Sequence, residues 1–200
     1  VGKRGRGQST LVRRVATGLA GYGVMPLVLG DLKPDYVDLI EAMGGQIITL
    51  GRGRGYLNVL DPGEATQAAE RLRAAGHEKE ASQVIADAHG RRHTMVSALL
   101  TILRSAPPND REETIIDRAL KWLDEHHEGI PVLGDLLRVI QLGPAEVRAV
   151  ALDRGDDTRY KTITEGLEAS LIGLVGGGRL GETFSRQTTN PMRRDAPVVY

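Results

Sequence analysis

Strand-forming sequence is confined to short stretches near the two ends of this chain, and that confinement limits the folds open to it. Pro26-Leu27-Val28-Leu29-Gly30-Asp31 is an apolar run with an abrupt polar end, and Gln46-Ile47-Ile48-Thr49-Leu50 is a second. Short apolar runs with such boundaries suit buried strands. Helical patterns alternate with them. Leu11, Val12, Val15, Ala16 and Leu19 recur at helical spacing ahead of the first run. Pro34-Asp35 opens a second helix carrying Val37, Leu39, Ile40 and Met43, and Gly44-Gly45 stops it. Proline near the first helical position and carboxylates in the first turn fit a helix start. Alternating helices and short apolar strands predict an α/β fold with a parallel sheet. Ala196-Pro197-Val198-Val199-Tyr200 reads as one more strand just beginning.

From Asp61 the strand signal nearly vanishes. Asp61-Pro62-Gly63-Glu64 has the order of a cap, a first-turn proline and an acidic residue three places on. Amphipathic segments follow. Ala65, Ala68, Ala69 and Leu72 share a face, as do Val84 and Ala88 and, past a break expected at Gly90, Met95, Ala98, Leu99 and Ile102. Ile116, Ala119, Leu120 and Leu123 repeat the spacing, then Leu133, Leu136, Leu137 and Ile140. A short helix after Gly143-Pro144 and a last one through Ile163, Leu167, Leu171 and Leu174 complete the series. No fixed period recurs, which excludes a solenoid. The expected organisation is an incomplete α/β core over residues 1–62, an all-helical insertion over 63–176, and a return to the core over 177–200.

Composition narrows the class. Two hundred residues suffice for one domain, or one domain with an insertion. Hydrophobic residues make up 40% and charged residues 26%, a globular balance. No apolar stretch approaches the roughly 18–20 residues that span a bilayer, and no signal-peptide pattern opens the chain. The absence of cysteine excludes disulfides and Cys-ligated zinc or iron–sulfur sites, and favours a reducing, cytoplasmic location. The net charge of zero hides an asymmetry: +3 over 1–62, −5 over 63–176 and +2 over 177–200. None of these values marks a nucleic-acid binder. Val1 in place of Met, and a strand that only begins at Tyr200, read as a fragment of a larger protein.

Chemistry concentrates at the start. Gly2-Lys3-Arg4-Gly5-Arg6-Gly7-Gln8-Ser9-Thr10 has the frame of the phosphate-binding loop G-x-x-x-x-G-K-[ST], with Gln8 where Lys belongs. Glycines let the backbone curl so that successive N–H groups point at phosphate oxygens. The helix expected from about Ser9 adds its positive end. The Ser9 hydroxyl is placed to ligate Mg²⁺ bridging the terminal phosphates. Gln8 brings a hydrogen bond but no charge. Loss of a charge-assisted contact costs about 1.5–3 kcal/mol, and loss of a donor aimed at developing charge costs about 10²–10³ in rate. Weak nucleotide binding with little or no hydrolysis is therefore expected, with Lys3, Arg4 and Arg6 replacing part of the missing charge. Asp31 and Lys33 follow the first predicted strand, and ligands of open α/β sheets bind at carboxyl edges. They are expected either to border the nucleotide or to form a surface pair beside a turn.

With these pieces in view, the chain resembles the ATPases of conjugative transfer and type IV secretion, within the HerA–FtsK clade of RecA-like motors. The matching segments run in the family's order: Gly2–Thr10, then Gly30-Asp31-Leu32-Lys33-Pro34-Asp35-Tyr36, then Met43-Gly44-Gly45-Gln46-Ile47-Ile48-Thr49-Leu50-Gly51. Tyr56-Leu57-Asn58-Val59-Leu60-Asp61-Pro62 follows, then the helical insertion, then Gly178-Arg179-Leu180-Gly181-Glu182-Thr183-Phe184. The resemblance implies a RecA-like P-loop core with an all-helical insertion, assembled as a homo-hexamer with other secretion-system components. It implies ATP hydrolysis that drives substrate translocation or pilus assembly, in the cytoplasm at the inner face of the membrane. It assigns Gly5, Gly7, Ser9 and Thr10 to ATP phosphate and Mg²⁺ positions, with Gln8 departing from the pattern. It leaves the Walker B carboxylate beyond Tyr200. Two rival readings stand beside it: an assembly module with a decayed loop that needs no nucleotide, and an FtsK-type DNA pump, whose mark is salt-dependent DNA affinity.

Other residues carry bland expectations. His89 and His93 have a spacing that can present two imidazoles on one helix face, but Gly90 is expected to interrupt it. His126-His127 sit near a helix end, where they complement the dipole. Asp124, Glu125 and Glu128 are expected to be a solvated acidic end, and Trp122 half-buried beside its apolar stripe. Arg52 and Arg54 belong to a hairpin-like loop, Arg193-Arg194 to exposed surface, and Asn58 to a turn.

Overall fold

The computed structural model describes residues 8–31, 33–51, 53–177 and 180–200. They fall into two compact units: Val1–Gly55 with Thr189–Tyr200, and Tyr56–Thr188. The architecture is α/β, mostly helical, with one small parallel sheet.

The smaller unit holds α1 (Gln8–Ala20), β1 (Leu27–Val28), α2 (Val37–Ala42), β2 (Gln46–Ile47) and β3 (Val198–Val199). The strand order is β1-β3-β2, all parallel, so the chain's last strand lies between its first two. Leu27 and Gln46 both register on Val198, and Val28 and Ile47 both on Val199. Only β3 is buried along its length. The apolar run of β1 was expected to be a buried strand, but β1 is a sheet edge. Leu27 is half exposed and Leu29 is 72% exposed. An apolar run has the same letters in a central strand as in an edge strand with one open side.

Gly44 and Gly45 end α2 for different reasons. Gly44 has φ 68°, in the left-handed region that favours glycine. Gly45 sits under the sheet, where a Cβ would lie 2.6 Å from the Pro197 carbonyl oxygen and 2.5 Å from Ile40 Cγ2.

The larger unit is built from α3 (Ala65–Ala74), α4 (Glu78–Arg104), α5 (Asp110–His126), α6 (Leu133–Leu142), α7 (Ala145–Ala151), α8 (Asp157–Val175) and α9 (Gly181–Phe184). Its core joins Val96 and Leu100 of α4, Ile116 and Leu120 of α5, Leu136 and Ile140 of α6, and Leu167 and Leu171 of α8. These positions recur three and four apart, the spacing that turns one helix face inward. Asn109 caps α5: its Oδ1 accepts from the Arg111 and Glu112 amides at 3.0 Å, and Glu112 Oε2 accepts from the Asn109 amide at 2.9 Å. Asp156 caps α8 in the same way through the Thr158 and Arg159 amides. The Tyr160 hydroxyl donates to the Ile140 carbonyl at 2.6 Å, and burial pushes its pKa up to about 12.

Two local expectations are corrected here. The helix does not break at Gly90; α4 runs through it as one element of 27 residues. A Cβ there would meet nothing within 4 Å, so the glycine is neither a turn nor a packing point. One glycine costs about 1 kcal/mol in a helix, less than the packing of the turns on either side supplies. Asp61 is not a helix cap. Its Oδ1 accepts from the Gly63 amide at 2.7 Å, closing a local turn, and α3 starts at Ala65.

Candidate functional site

In a parallel sheet all strand carboxyl ends lie on one edge, and here that edge carries Asp31, Ile48 and Tyr200. The Asp31 amide donates to the Tyr200 carbonyl at 2.9 Å, extending the β1–β3 ladder past its last paired residues. The Asp31 carboxylate turns toward the chain that follows. Oδ2 accepts from the Tyr36 amide at 3.0 Å and Oδ1 from the Asp35 amide at 3.3 Å. These amides lie at the entry to α2, where helix N–H groups have no intrahelical acceptor. Asp31 thus holds the turn into α2 and stands at the carboxyl edge of the sheet. Lys33 is exposed beside it, and its carbonyl accepts from the Asp35 amide.

α1 begins at Gln8, the last position of the glycine-rich frame before the hydroxyls. Gln8, Ser9 and Thr10 form its first turn, with exposed side chains. A short connection, closed by the Val24 amide on the Leu19 carbonyl at 3.1 Å and by Gly23 at φ 80°, turns the chain from α1 into β1. Gly2, Gly5, Arg6 and Gly7, together with Lys3 and Arg4, lie outside the described residues. What is described is a helix start that carries two exposed hydroxyls, those of Ser9 and Thr10. α1 buries no residue of its own, and Leu11 is 65% exposed.

The larger unit contains polar arrangements the sequence reading did not anticipate. Arg92 is 5% exposed and grips Asp124 with two hydrogen bonds of 2.6 Å. Asp124, Glu125 and Glu128 are exposed, as expected, and Asp124 is in addition the counter-charge of a buried guanidinium. The signal available was an arginine at helical spacing from the apolar residues Ala88 and Val96. His89 and His93 do share a face of α4. His89 Nε2 lies 2.7 Å from Asp117 Oδ1, and His93 Nε2 lies 3.0 Å from Glu113 Oε2. Both histidines bind carboxylates of α5. No group of three or more metal-ligating side chains forms among the described residues.

Asn58 is buried and binds Pro131, Gln187 and Leu60 of its unit. α5 ends at His126, within the helix end expected there. Its ring stacks on Trp122 with centroids 4.4 Å apart. Trp122 is half-buried against the core, as expected. Arg54 lies in a loop closed by an antiparallel bridge between Gly51 and Gly55; Arg52 and Arg179 lie outside the described residues. Arg193 is held by Asp195 through two 3.0 Å hydrogen bonds. No helix among the described residues is long and apolar enough to cross a membrane. Comparison with protein-family models, with curated proteins and with solved structures returns no match to this chain.

Proposed function

We propose that this chain binds ATP–Mg²⁺ through the degenerate phosphate loop Gly2–Thr10, within a RecA-like core that carries an all-helical insertion. It works as part of a conjugative-transfer or type IV secretion motor. The observation that carries the reading is the start of α1 at Gln8, directly after the glycine-rich frame, on a helix that leads into a strand of a parallel sheet. Ser9 supplies the Mg²⁺ hydroxyl, Thr10 stands beside it, and the glycine-loop amides take the phosphate oxygens. Asp31 and Lys33 border the site from the end of β1. The long helical segment between β2 and β3 in the chain is the second support, because it stands where the resemblance expects an insertion.

Gln8 sets the activity. Without the lysine charge the transferred phosphate lacks one stabilising contact, so binding persists while hydrolysis is slow. The same residue favours a second reading, an assembly module that has kept the fold and lost the nucleotide. A fluorescent ATP analogue titrated with and without Mg²⁺ separates the two. Saturable, Mg²⁺-dependent binding that Ser9→Ala weakens supports the motor reading. No saturation at millimolar nucleotide supports the module. DNA affinity that falls steeply with salt moves the assignment to a DNA pump.

A further inference from the structure

The strongest unexplained group of charges lies between α4 and α5, remote in sequence from the phosphate loop. His89 presents each ring nitrogen to a carboxylate of a different residue. Nε2 is 2.7 Å from Asp117 Oδ1, and Nδ1 is 3.7 Å from Asp124 Oδ2. An ionised carboxylate only accepts hydrogen bonds. A neutral imidazole that donates from Nε2 to Asp117 leaves its Nδ1 lone pair turned toward the Asp124 carboxylate, which is at ion-pair and not hydrogen-bond distance. The doubly protonated ring keeps the Asp117 hydrogen bond and turns the second contact from repulsive to attractive. The ring is largely buried, with 14% of its side chain exposed, while the two carboxylates stand at 37% and 36%.

We propose that the α4–α5 seam is a proton-operated latch, held shut by a protonated His89 clamped between Asp117 and Asp124. The surrounding charges are set for it. Asp124 also takes both hydrogen bonds from Arg92 of α4, and Asp117 takes one from Lys121 of α5 at 2.7 Å. His93, one turn further along α4, faces Glu113, which also accepts from the Ser97 hydroxyl at 2.8 Å. α3 and α8 pack on α4 too, but among the described residues the charged groups acting on His89 are Asp117, Asp124 and Arg92.

The titration of these groups follows from the same contacts. Asp124 and then Asp117 raise the pKa of His89 above its ordinary value, against the opposing effects of burial and of Arg92. Burial pushes Asp124 and Asp117 up, but the nearby His89 and the hydrogen-bonded Arg92 on the one, and hydrogen bonds from Lys121 and His89 on the other, outweigh it and hold both low. A raised histidine stabilises fully below the free imidazole value of about 6.5 and loses its contribution as pH climbs through the folded value. A lowered aspartate stabilises above about 4 and loses its contribution as pH falls through the folded value. The latch is therefore tightest on the mildly acidic side of neutrality, and it loosens in alkali first through His89.

The test is an NMR titration of the five histidine Cε1–H resonances of the 200-residue chain, with His89 assigned by its loss in His89→Gln. Urea unfolding at pH 5.5 and pH 8.5 accompanies it. The latch predicts a His89 midpoint above about 6.5, a lower midpoint in Asp117→Asn, and a fall in the urea midpoint between pH 5.5 and pH 8.5 that His89→Gln abolishes. A wild-type His89 midpoint at or below 6.5 overturns it without any variant having to fold. So does an unchanged pH dependence of unfolding in His89→Gln.

Discussion

Asn58 donates its side-chain amide to Gln187 Oε1 at 3.0 Å, although the two residues are 129 positions apart. The same Nδ2 donates to the Pro131 carbonyl at 2.9 Å, and Oδ1 accepts from the Leu60 amide at 3.0 Å. Gln187 closes the network by donating to the Ile130 carbonyl, and the Thr188 hydroxyl accepts from the Asn58 amide. One buried side chain thus ties the entry of the helical unit, the α5–α6 connection and its exit. Asn58→Ala leaves the Leu60 amide and the Pro131 carbonyl without their partner. Each such buried orphan costs about 1–3 kcal/mol. The expected loss is about 2–4 kcal/mol of unfolding free energy, read by urea denaturation. Asn58→Asp is expected to fail as well, since a carboxylate cannot donate to two acceptors.

Gly45 separates steric from conformational demands in the smaller unit. Its Cβ would meet the Pro197 carbonyl and the Ile40 side chain, whereas a Cβ on Gly44 would meet nothing within 4 Å. Gly45→Ala is expected to cost about 1–3 kcal/mol through overpacking. Gly44→Ala is expected to cost only the left-handed penalty, about 1–2 kcal/mol. Hydrogen exchange at the Val198 and Tyr200 amides, which donate to the Pro26 and Val28 carbonyls, distinguishes them. Gly45→Ala deprotects both amides strongly, and Gly44→Ala does so weakly.

Leu152 offers a stabilising change. It ends α7 in the left-handed region at φ 58° and is 61% exposed, so it carries backbone strain with little packing in return. Leu152→Gly removes a penalty of about 1–2 kcal/mol and gives back about 0.4–1 kcal/mol through the freer unfolded chain. A net gain of about 0.5–1 kcal/mol is expected, seen as a higher urea midpoint at unchanged slope.

What the sequence disclosed follows its local physics. The three strands are where short apolar runs meet abrupt polar or chain-end boundaries, and the helices of the larger unit follow the three-and-four spacing of Ile116, Leu120, Leu136 and Leu171. The α/β class was legible for that reason. Pairing was not: nothing local to Val198 says that it lies between Leu27 and Gln46. Gly90 misleads because helix propensity is a weak term that packing overrides. The pairing of Asp124 with Arg92 was not legible because the two lie 32 positions apart on different helices. The Asp31 contacts to Asp35 and Tyr36 are local, within five positions, yet depend on a turn geometry that the residue types alone do not give.

Gln8 permits a gain-of-function test of the loop. Gln8→Lys restores the charge that the frame lacks. A charge-assisted hydrogen bond adds about 1.5–3 kcal/mol, which corresponds to nucleotide binding tighter by roughly one to two orders of magnitude. The variant is expected to bind the analogue that much more tightly and to show hydrolysis above the level of the native chain. An Arg4→Ala or Arg6→Ala substitution in the native background is expected to remove the residual turnover, where there is any.

The central claim is that the opening turn of this chain holds the triphosphate of a nucleotide. Its most direct test is the dissociation constant of a fluorescent ATP analogue for the native chain, measured with Mg²⁺ and with EDTA, beside the same measurement on Ser9→Ala. The account predicts saturation with Mg²⁺, weakening by about tenfold or more in EDTA and in Ser9→Ala, and competition by unlabelled ATP, with the expected loss that of one charge-assisted contact. Binding that is indifferent to Mg²⁺ and to Ser9, or no saturation at all, would contradict it.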